Sequence, residues 1–248
     1  MNKEHKKGSQ TAKDGFQNEK DIVNKFNNWT NDKDAQSWLT IMEYILTDID
    51  YVKAIVLSGY KTDVQVQITI KLKQAIDVEN LQVKLVSNPK GFNQVDKRWV
   101  DKYVEMWSIP SEITNLLKKY TGEIKPSIKN PKDPRRMFIN EYSKENQSIL
   151  LNWLTKNKTL MINDIIKGRG KFSAEWMLVA QKTTENARWV LKPINIVLNH
   201  FGNGEILITK LGNIKIGNIT MQRKGGDNGR KTAQMLQFKI NPAELFDL

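Results

Sequence analysis

The chain of 248 residues contains no cysteine and only two histidines, His5 and His200. Disulfide bonds and thiolate zinc sites are therefore excluded, and two histidines are too few for a histidine-rich zinc site. No hydrophobic run approaches the roughly 18 residues that a membrane span requires, and the amino terminus, MNKEHKKGSQTAKDG, is polar rather than signal-like. Any metal must consequently be held by oxygen ligands, and we expect a cytoplasmic protein without a membrane partner.

Acidic residues are fewer than basic ones. The chain has 27 Asp and Glu and 39 Lys and Arg, which gives a net charge of +12. The summed field of such a chain attracts polyanions and speeds their encounter. Nucleic acid is therefore the first candidate partner. The alternative is a basic protein that has no such ligand.

The hydrophobic pattern divides the amino-terminal third of the chain. Residues 1–14 carry almost nothing apolar and are expected to be a flexible basic lead-in, whereas residues 15–248 are long enough for one large domain. Helical spacing from Phe16 to Phe26 predicts an amphipathic helix with Phe16 on its apolar stripe. A second helix is predicted over Asp34–Leu46.

The remaining chain alternates between β and α patterns. A period of two predicts strands over Tyr51–Leu57, Asp63–Leu72 and Leu81–Val86, and again in AEWMLVAQK, EILITKLGNIKIGNITMQ and MLQFKI. Helices are predicted over Val95–Trp107, Ser111–Tyr120, Lys144–Lys156, Leu160–Ile166 and Pro193–His200, with irregular basic connections at 123–136 and KGRGK. These patterns predict an α/β fold with a mixed, mainly antiparallel sheet flanked by helices.

Asp63, Gln82 and Lys84 are the first candidates for chemistry. Hydrolysis of a phosphodiester without histidine or cysteine commonly uses a carboxylate-bound divalent cation, with a lysine that positions water and neutralises charge. Gln82 and Lys84 share one face of a predicted strand, and Asp63 begins another. The spacing fits the loose pattern of Asp followed by Glu/Asp/Gln-x-Lys, although a solvated strand face also produces it.

Glu19 interrupts the apolar stripe of the first helix. An inward-facing acid needs a reason, such as a metal or a paired cation. The alternative is a boundary residue whose carboxylate reaches water.

Two polar segments are suited to contact DNA. The segment from Gln222 to Gln237 mixes cations with amide and acid side chains that can read base edges in the major groove; its candidates are Gln222, Arg223, Lys224, Asp227, Asn228, Arg230, Gln234 and Gln237. Asn228-Gly229 is a turn signal within it. An ordinary charged hairpin is the alternative.

The turn SNPKGFNQVDK carries Phe92 between Gly91 and Asn93. An apolar side chain of this kind can enter a base step from the minor groove, with Gln94 nearby for hydrogen bonding. The alternative is a phenylalanine that packs into the core. We assign Asn93 and Lys97 to the same contact surface.

Several long segments resemble the HinP-type restriction endonucleases, which cut GCGC. They occur in the same order over nearly the whole chain: KDGFQNEKDI, VLSGYKTD, QVKLVSNPKGFNQVDKRW, RRMFINEYSKENQ, GRGKFSAEWMLVAQK and QRKGGDNGRKTAQMLQFKINPAELFD. Short stretches near QRKGGDNGR also resemble the MspI-type enzymes, which cut a different tetranucleotide.

The resemblance implies a PD-(D/E)xK nuclease, a type II restriction endonuclease whose DNA-recognition lobe is integrated into one domain. Asp63 and Gln82 would hold Mg²⁺, with Mn²⁺ as a substitute, the carbonyl of Val83 would be a further ligand, and Lys84 would assist the attacking water. Gln82 departs from the Glu or Asp usual in the superfamily, and a neutral ligand attracts a hard cation less strongly. Phe92 would enter from the minor-groove side.

The resemblance also implies partners and products. Double-stranded DNA would be cut at a short palindrome to leave 5′-phosphates and short 5′ overhangs, by a monomer or a homodimer. A cognate DNA methyltransferase would act on the same site. A non-catalytic sequence-specific DNA-binding protein and a nuclease of other specificity are the alternatives.

Overall fold

The computed structural model describes residues 3–59, 61, 63–70, 75–87, 91–182, 187–226 and 230–248. These residues form two compact units. The first comprises 1–91, 166–197 and 241–248, and the second comprises 92–165 and 198–240. The expectation of a single domain with an integrated recognition lobe stays a prediction.

The first unit is built on a five-stranded mixed sheet in the order β1-β2-β3-β5-β6. Its strands are β1 (Ile49–Val56), β2 (Val64–Ile70), β3 (Ala75–Val86), β5 (Trp176–Gln181) and β6 (Arg188–Pro193). Only the β3–β5 pair is parallel among the described pairings. The predicted mixed, mainly antiparallel sheet is confirmed.

Two helices, α1 (Lys3–Asn27) and α2 (Lys33–Ile41), pack on this sheet. Helix α1 already includes residues 3–14, and the expectation of a flexible basic lead-in over residues 1–14 stays a prediction. Ile22 and Phe26 are fully buried, one helical turn apart, whereas Phe16 is 62% exposed. The apolar face therefore follows the row through Ile22, and the prediction that Phe16 belongs to it is wrong.

Helix α2 ends five residues earlier than predicted. Met42 terminates it, and Glu43 adopts a positive φ of 68° that a continuing helix does not permit. The N–H of Tyr44 then donates to the carbonyl of Leu39 at 3.0 Å. As a result Ile45, which the predicted helix over Asp34–Leu46 includes, lies outside α2 and is 65% exposed.

The second unit contains an antiparallel sheet in the order β4-β10-β9-β8-β7. Its strands are β4 (Asn93–Arg98), β7 (Ile206–Ile208), β8 (Ile214–Ile216), β9 (Ile219–Arg223) and β10 (Leu236–Ile240). Tyr103, Trp107 and Phe238 form its aromatic core, with ring centroids 4.7 to 6.0 Å apart.

The helices beyond β4 are α3 (Val100–Trp107), α4 (Ser111–Thr121), α5 (Lys144–Ile166) and α6 (Ile194–Gly202). The predicted helix over Val95–Trp107 is wrong at its start, where residues 95–98 pair with β10. Helices predicted separately at Lys144 and Leu160 are one helix, α5. No helix in the described part of the chain is long and apolar enough to cross a membrane.

Candidate active site

Main-chain hydrogen bonds fix Asp63 immediately before β2. Its N–H donates to the carbonyl of Leu81 on β3 at 2.9 Å, and its carbonyl accepts from the N–H of Leu57, just after β1, at 2.9 Å. The antiparallel register of β2 and β3 ends at the pair Val64–Leu81. Asp63 and Gln82 are the next residues of their chain segments beyond this pair, so the sheet places the predicted acid and amide at neighbouring positions.

The Asp63 carboxylate contacts the two residues that follow Gln82. Its Oδ2 accepts a hydrogen bond from the N–H of Val83 at 2.7 Å. The ammonium Nζ of Lys84 lies 3.7 Å from the same oxygen. Both side chains are only partly exposed, 24% for Asp63 and 14% for Lys84, so water screens this pair less than a surface ion pair.

The Gln82 side chain is 2% exposed, and its Oε1 has no hydrogen-bond partner among the described residues. Leaving a buried acceptor without a donor costs about 1–3 kcal/mol. An oxygen that ligates a metal commonly has no hydrogen-bond donor in the metal-free protein. The orphaned oxygen therefore fits the predicted ligand role.

Glu19 on α1 is coupled electrostatically to the same residues. Burial, and after it the negative charge of Asp63, raise the pKa of Glu19 to about 7, with Lys84 partly opposing the shift. Glu19 is therefore close enough to Asp63 and Lys84 to respond to their charges. Its role as a metal ligand stays a prediction beside the alternative of a carboxylate that reaches water.

The donor chemistry of this cluster suits a hard divalent cation. Asp63 and Glu19 supply carboxylates and Gln82 a neutral carbonyl, and Mg²⁺ prefers oxygen donors of these kinds. Among the residues that the structure describes, no group of three or more His, Asp or Glu side chains could hold a metal ion. Any cation here would therefore need oxygen donors besides these carboxylates, and the amide oxygen of Gln82 is one candidate. The carbonyl of Val83 as a ligand stays a prediction.

Three predicted DNA-contacting residues form a row across the second sheet. Gln237 of β10 lies opposite Lys97 of β4 on one side and Gln222 of β9 on the other. Directly opposed residues share a face, so this row is continuous across three strands. Gln237 at its centre is 3% exposed, and its amide donates to the carbonyl of Lys224 at 3.4 Å. Gln237 therefore stabilises the segment from Gln222 to Gln237 through a partly buried hydrogen bond.

Two further members of that segment bond to the end of α4. Arg223 Nε donates to the carbonyl of Thr121 at 2.7 Å, and Gln234 Nε2 donates to the carbonyl of Gly122 at 2.7 Å. These bonds hold the strand ends on both sides of the loop in place. Asp227 and Asn228, with the predicted Asn-Gly turn, lie outside the described residues. Arg230 follows them and is exposed.

The side chain of Phe92 is 54% exposed, which contradicts the alternative that it packs into the core. Gln94 is exposed and Asn93 partly so, both on β4. Their roles in DNA binding stay predictions.

Sequence reasoning missed residues on both units. Asn80 lies on β3 two positions before Gln82. The strand alternation that places Gln82 and Lys84 on one face also places Asn80 there, so it could have been predicted. Arg135 and Arg136 lie near Arg223: burial lowers the pKa of Arg223, and the charges of these two arginines lower it further. Their only sequence signal was the basic composition of the 123–136 connection.

Comparison with known proteins identifies the relatives of this fold. The family model of the R.HinP1I restriction endonuclease matches residues 42–246. No curated protein matches the chain. Among solved structures, restriction endonuclease MspI in complex with its cognate DNA is similar, with a TM-score of 0.66 and 17% sequence identity over 95% of this chain and 92% of that chain.

Proposed function

We propose that this chain, which belongs to the R.HinP1I restriction endonuclease family, cuts both strands of duplex DNA at GCGC in a magnesium-dependent reaction and leaves 5′-phosphates. Family membership makes the chain a site-specific DNA endonuclease and removes the alternative of a non-catalytic DNA-binding protein. Restriction endonucleases generally use a divalent metal. What we propose beyond this is that the metal is Mg²⁺, that the recognition sequence is GCGC and that the products carry 5′-phosphates.

The observation that carries the proposal is the contact of the Asp63 carboxylate with the N–H of Val83 and the ammonium of Lys84, the two residues that follow Gln82. Asp63, Gln82 and the Val83 carbonyl, with Glu19 beside them, would hold the cation. When bound, the cation would supply activation of water and stabilisation of the charge that develops on the phosphate.

Lys84 has the clearest role among the protein's own groups. Its ammonium lies 3.7 Å from Asp63 Oδ2, where it can hold and orient the attacking water and neutralise charge on the phosphate. The N–H of Val83 fixes the Asp63 carboxylate by donating to Oδ2. Asp63 is therefore oriented before substrate arrives, which lowers the cost of assembling the site.

Duplex DNA is supported as the partner by the net charge of +12 and by the MspI structure, which contains that enzyme's cognate DNA. The segment from Gln222 to Gln237 would read bases in the major groove, and Phe92 with Gln94 would enter from the minor-groove side. The active unit would be a monomer or a homodimer. A methyltransferase that modifies the same tetranucleotide would protect the host genome.

Digestion of unmethylated phage DNA tests this function. Purified protein is incubated with Mg²⁺, with EDTA as the control and a cytosine-methylated copy of the DNA as a second substrate, and the fragment ends are sequenced. We expect discrete metal-dependent fragments that end within GCGC and carry 5′-phosphates, and no cutting of the methylated copy. Fragments that end at another sequence would contradict the proposed specificity while leaving the nuclease activity in place.

A further inference from the structure

The loop at residues 167–171, with sequence KGRGK, lies beside the catalytic cluster in the first unit. Four residues separate it from β5, whose first residue, Trp176, is in register with Leu81 of β3. Val64 of β2 is in register with the same Leu81 on the other side. The strand that follows this loop and the strand that follows Asp63 therefore begin at the same level of the sheet, separated only by β3.

Asn80 ties this loop to the catalytic strand. It lies on the same face of β3 as Gln82, since residues two apart share a face, and it is 6% exposed. Its Nδ2 donates to the carbonyl of Lys171 at 3.1 Å, and its main-chain N–H donates to the carboxylate of Glu175 at 3.0 Å. The Asn80 carbonyl in turn accepts from the N–H of Glu175 at 2.8 Å. One hydrogen bond thus ties the loop itself to β3 two residues from Gln82, and two more hold Glu175, which lies between the loop and β5.

Gly168 brings the loop against the segment that leads to Asp63. Its φ of +81° lies in the left-handed region, and a Cβ at this position would lie 2.5 Å from Cγ of Lys61. Any larger residue would push the loop away from Lys61, which precedes Asp63 by two positions. The N–H of Ala174 closes the loop by donating to the carbonyl of Lys167 at 2.8 Å.

The tip of the loop presents cations to solvent. Arg169, Gly170 and Lys171 are exposed, and a Cβ at Gly170 would meet no atom within 4 Å. Space for a ligand therefore remains directly above the tip. An arginine fork and a lysine point charge are the side chains that bind phosphate oxygens most strongly.

We propose that the Lys167–Lys171 loop is a clamp for a backbone phosphate of the DNA strand being cut, close to the scissile phosphate. The proposal rests on the proposed function, because it assumes that the scissile phosphate lies at Asp63. Adjacent strands are ~4.8 Å apart, so the strand that follows the loop is ~10 Å from β2. With ~3.4 Å of helix axis per phosphate, the clamped phosphate is about one to three nucleotides from the cut.

The clamp would position the protein along the DNA duplex without reading the base sequence. Phosphate contacts position a protein on the duplex, whereas base edges carry specificity. Loss of the tip cations should therefore weaken binding by a similar factor on cognate and unrelated duplexes, and should slow cleavage through misplacement of the scissile phosphate.

The test compares three full-length proteins: the wild type, the tip variant Arg169→Ala with Lys171→Ala, and a control with Lys33→Ala and Lys53→Ala. The control removes two exposed lysines from the same unit, on α2 and β1. Binding is measured by fluorescence anisotropy in EDTA on a set of duplexes. Each duplex contains the mapped cleavage site, or GCGC if no site can be mapped, and one neutral methylphosphonate in place of a phosphate. Thermal unfolding verifies that all three proteins fold.

We expect one methylphosphonate near the scissile position to weaken the wild type and the control about tenfold but to leave the tip variant unchanged. The slope of log K against log salt should fall by about 0.9 in the tip variant alone. If each methylphosphonate weakened DNA binding by the same factor in all three proteins, the proposed phosphate clamp would be wrong. Because binding is read without metal, a wild type that binds but does not cut would refute the proposed function and still give a separate reading on the clamp.

Discussion

At the scale of single residues, the proposed active site holds groups that folding alone does not favour. Gln82 keeps a buried oxygen that has no donor among the described residues, and burial and the charge of Asp63 raise the pKa of Glu19. Such groups are costly unless a ligand compensates them. A bound cation would satisfy both, so stability and metal binding should be linked at these two positions.

The substitution Gln82→Glu tests this link. A carboxylate at a position 2% exposed and beside Asp63 should lower the melting temperature of the metal-free protein, and Mg²⁺ should restore it by more than it stabilises the wild type. Differential scanning fluorimetry with and without Mg²⁺ measures the difference. Gln36→Glu, on α2, is the control: it loses the hydrogen bond from its Nε2 to the carbonyl of Thr30 but keeps the proposed metal site, so Mg²⁺ should stabilise it only as much as it stabilises the wild type. A Gln82→Glu protein that is insensitive to Mg²⁺ would contradict the ligand role.

The substitution Glu19→Gln tests the shifted titration. The folded-state pKa of about 7 lies above the ordinary 4.5, so the wild type loses stability as pH rises between these values while Glu19→Gln does not. Unfolding in urea without metal should therefore show Glu19→Gln gaining on the wild type from pH 4.5 to 7, with no further gain above about pH 8. A constant difference across this range would show that Glu19 titrates normally.

Spacing alone predicted the cluster of Asp63, Gln82 and Lys84, because alternation on a strand fixes which side chains share a face. The orphaned oxygen of Gln82 could not be predicted, since it depends on what the surrounding chain fails to offer. Phe16 was misassigned because several helical rows in α1 contain apolar residues, and only packing on the sheet selects the row through Ile22.

At the scale of elements, the local sequence pattern predicted the wrong secondary structure where pairing with a distant strand determines it. Residues 95–98 run directly into α3, and together they read as one helix. Pairing with β10, about 140 residues later in the chain, makes them a strand, since tertiary context overrides local propensity. The end of α2 depends on the positive φ of Glu43, which spacing does not predict. Helix α4 was predicted correctly because Pro110 and Gly122 mark both of its ends.

The exposed turn before β4 gives a prediction at this scale. Phe92→Ala should change the free energy of unfolding by less than about 0.5 kcal/mol, as for other surface substitutions, and weaken DNA binding about tenfold. Phe238→Ala, at a fully buried position of β10, should instead cost about 3–5 kcal/mol. Urea unfolding and fluorescence anisotropy measure the two effects. If Phe92→Ala binds DNA like the wild type, the wedge role is wrong.

At the scale of the whole molecule, two sheets divide the proposed labour. The mixed sheet carries the proposed catalytic cluster and the antiparallel sheet carries the predicted recognition row, each in its own compact unit. The sequence predicted strands in both regions but not their division into two sheets, because sheet membership is set by pairings between distant segments.

The net charge of +12 predicts strongly salt-dependent binding. If six or more phosphates are neutralised, affinity for a cognate duplex should fall about 10³-fold between 50 and 200 mM salt. Anisotropy titrations without metal over this range measure the slope. A change of less than about tenfold would mean that the basic surface contributes little to DNA binding.

The substitution Lys84→Ala tests the central claim most directly, through single-turnover cleavage of a GCGC duplex with Mg²⁺ beside binding of the same duplex in EDTA. Loss of a group that positions the attacking water should slow cleavage by about 10²–10⁴-fold and change affinity only a few-fold, whereas Lys53→Ala should cleave at the wild-type rate. Undiminished cleavage by Lys84→Ala would contradict the account, because the chemistry would then occur away from Asp63, Gln82 and Lys84.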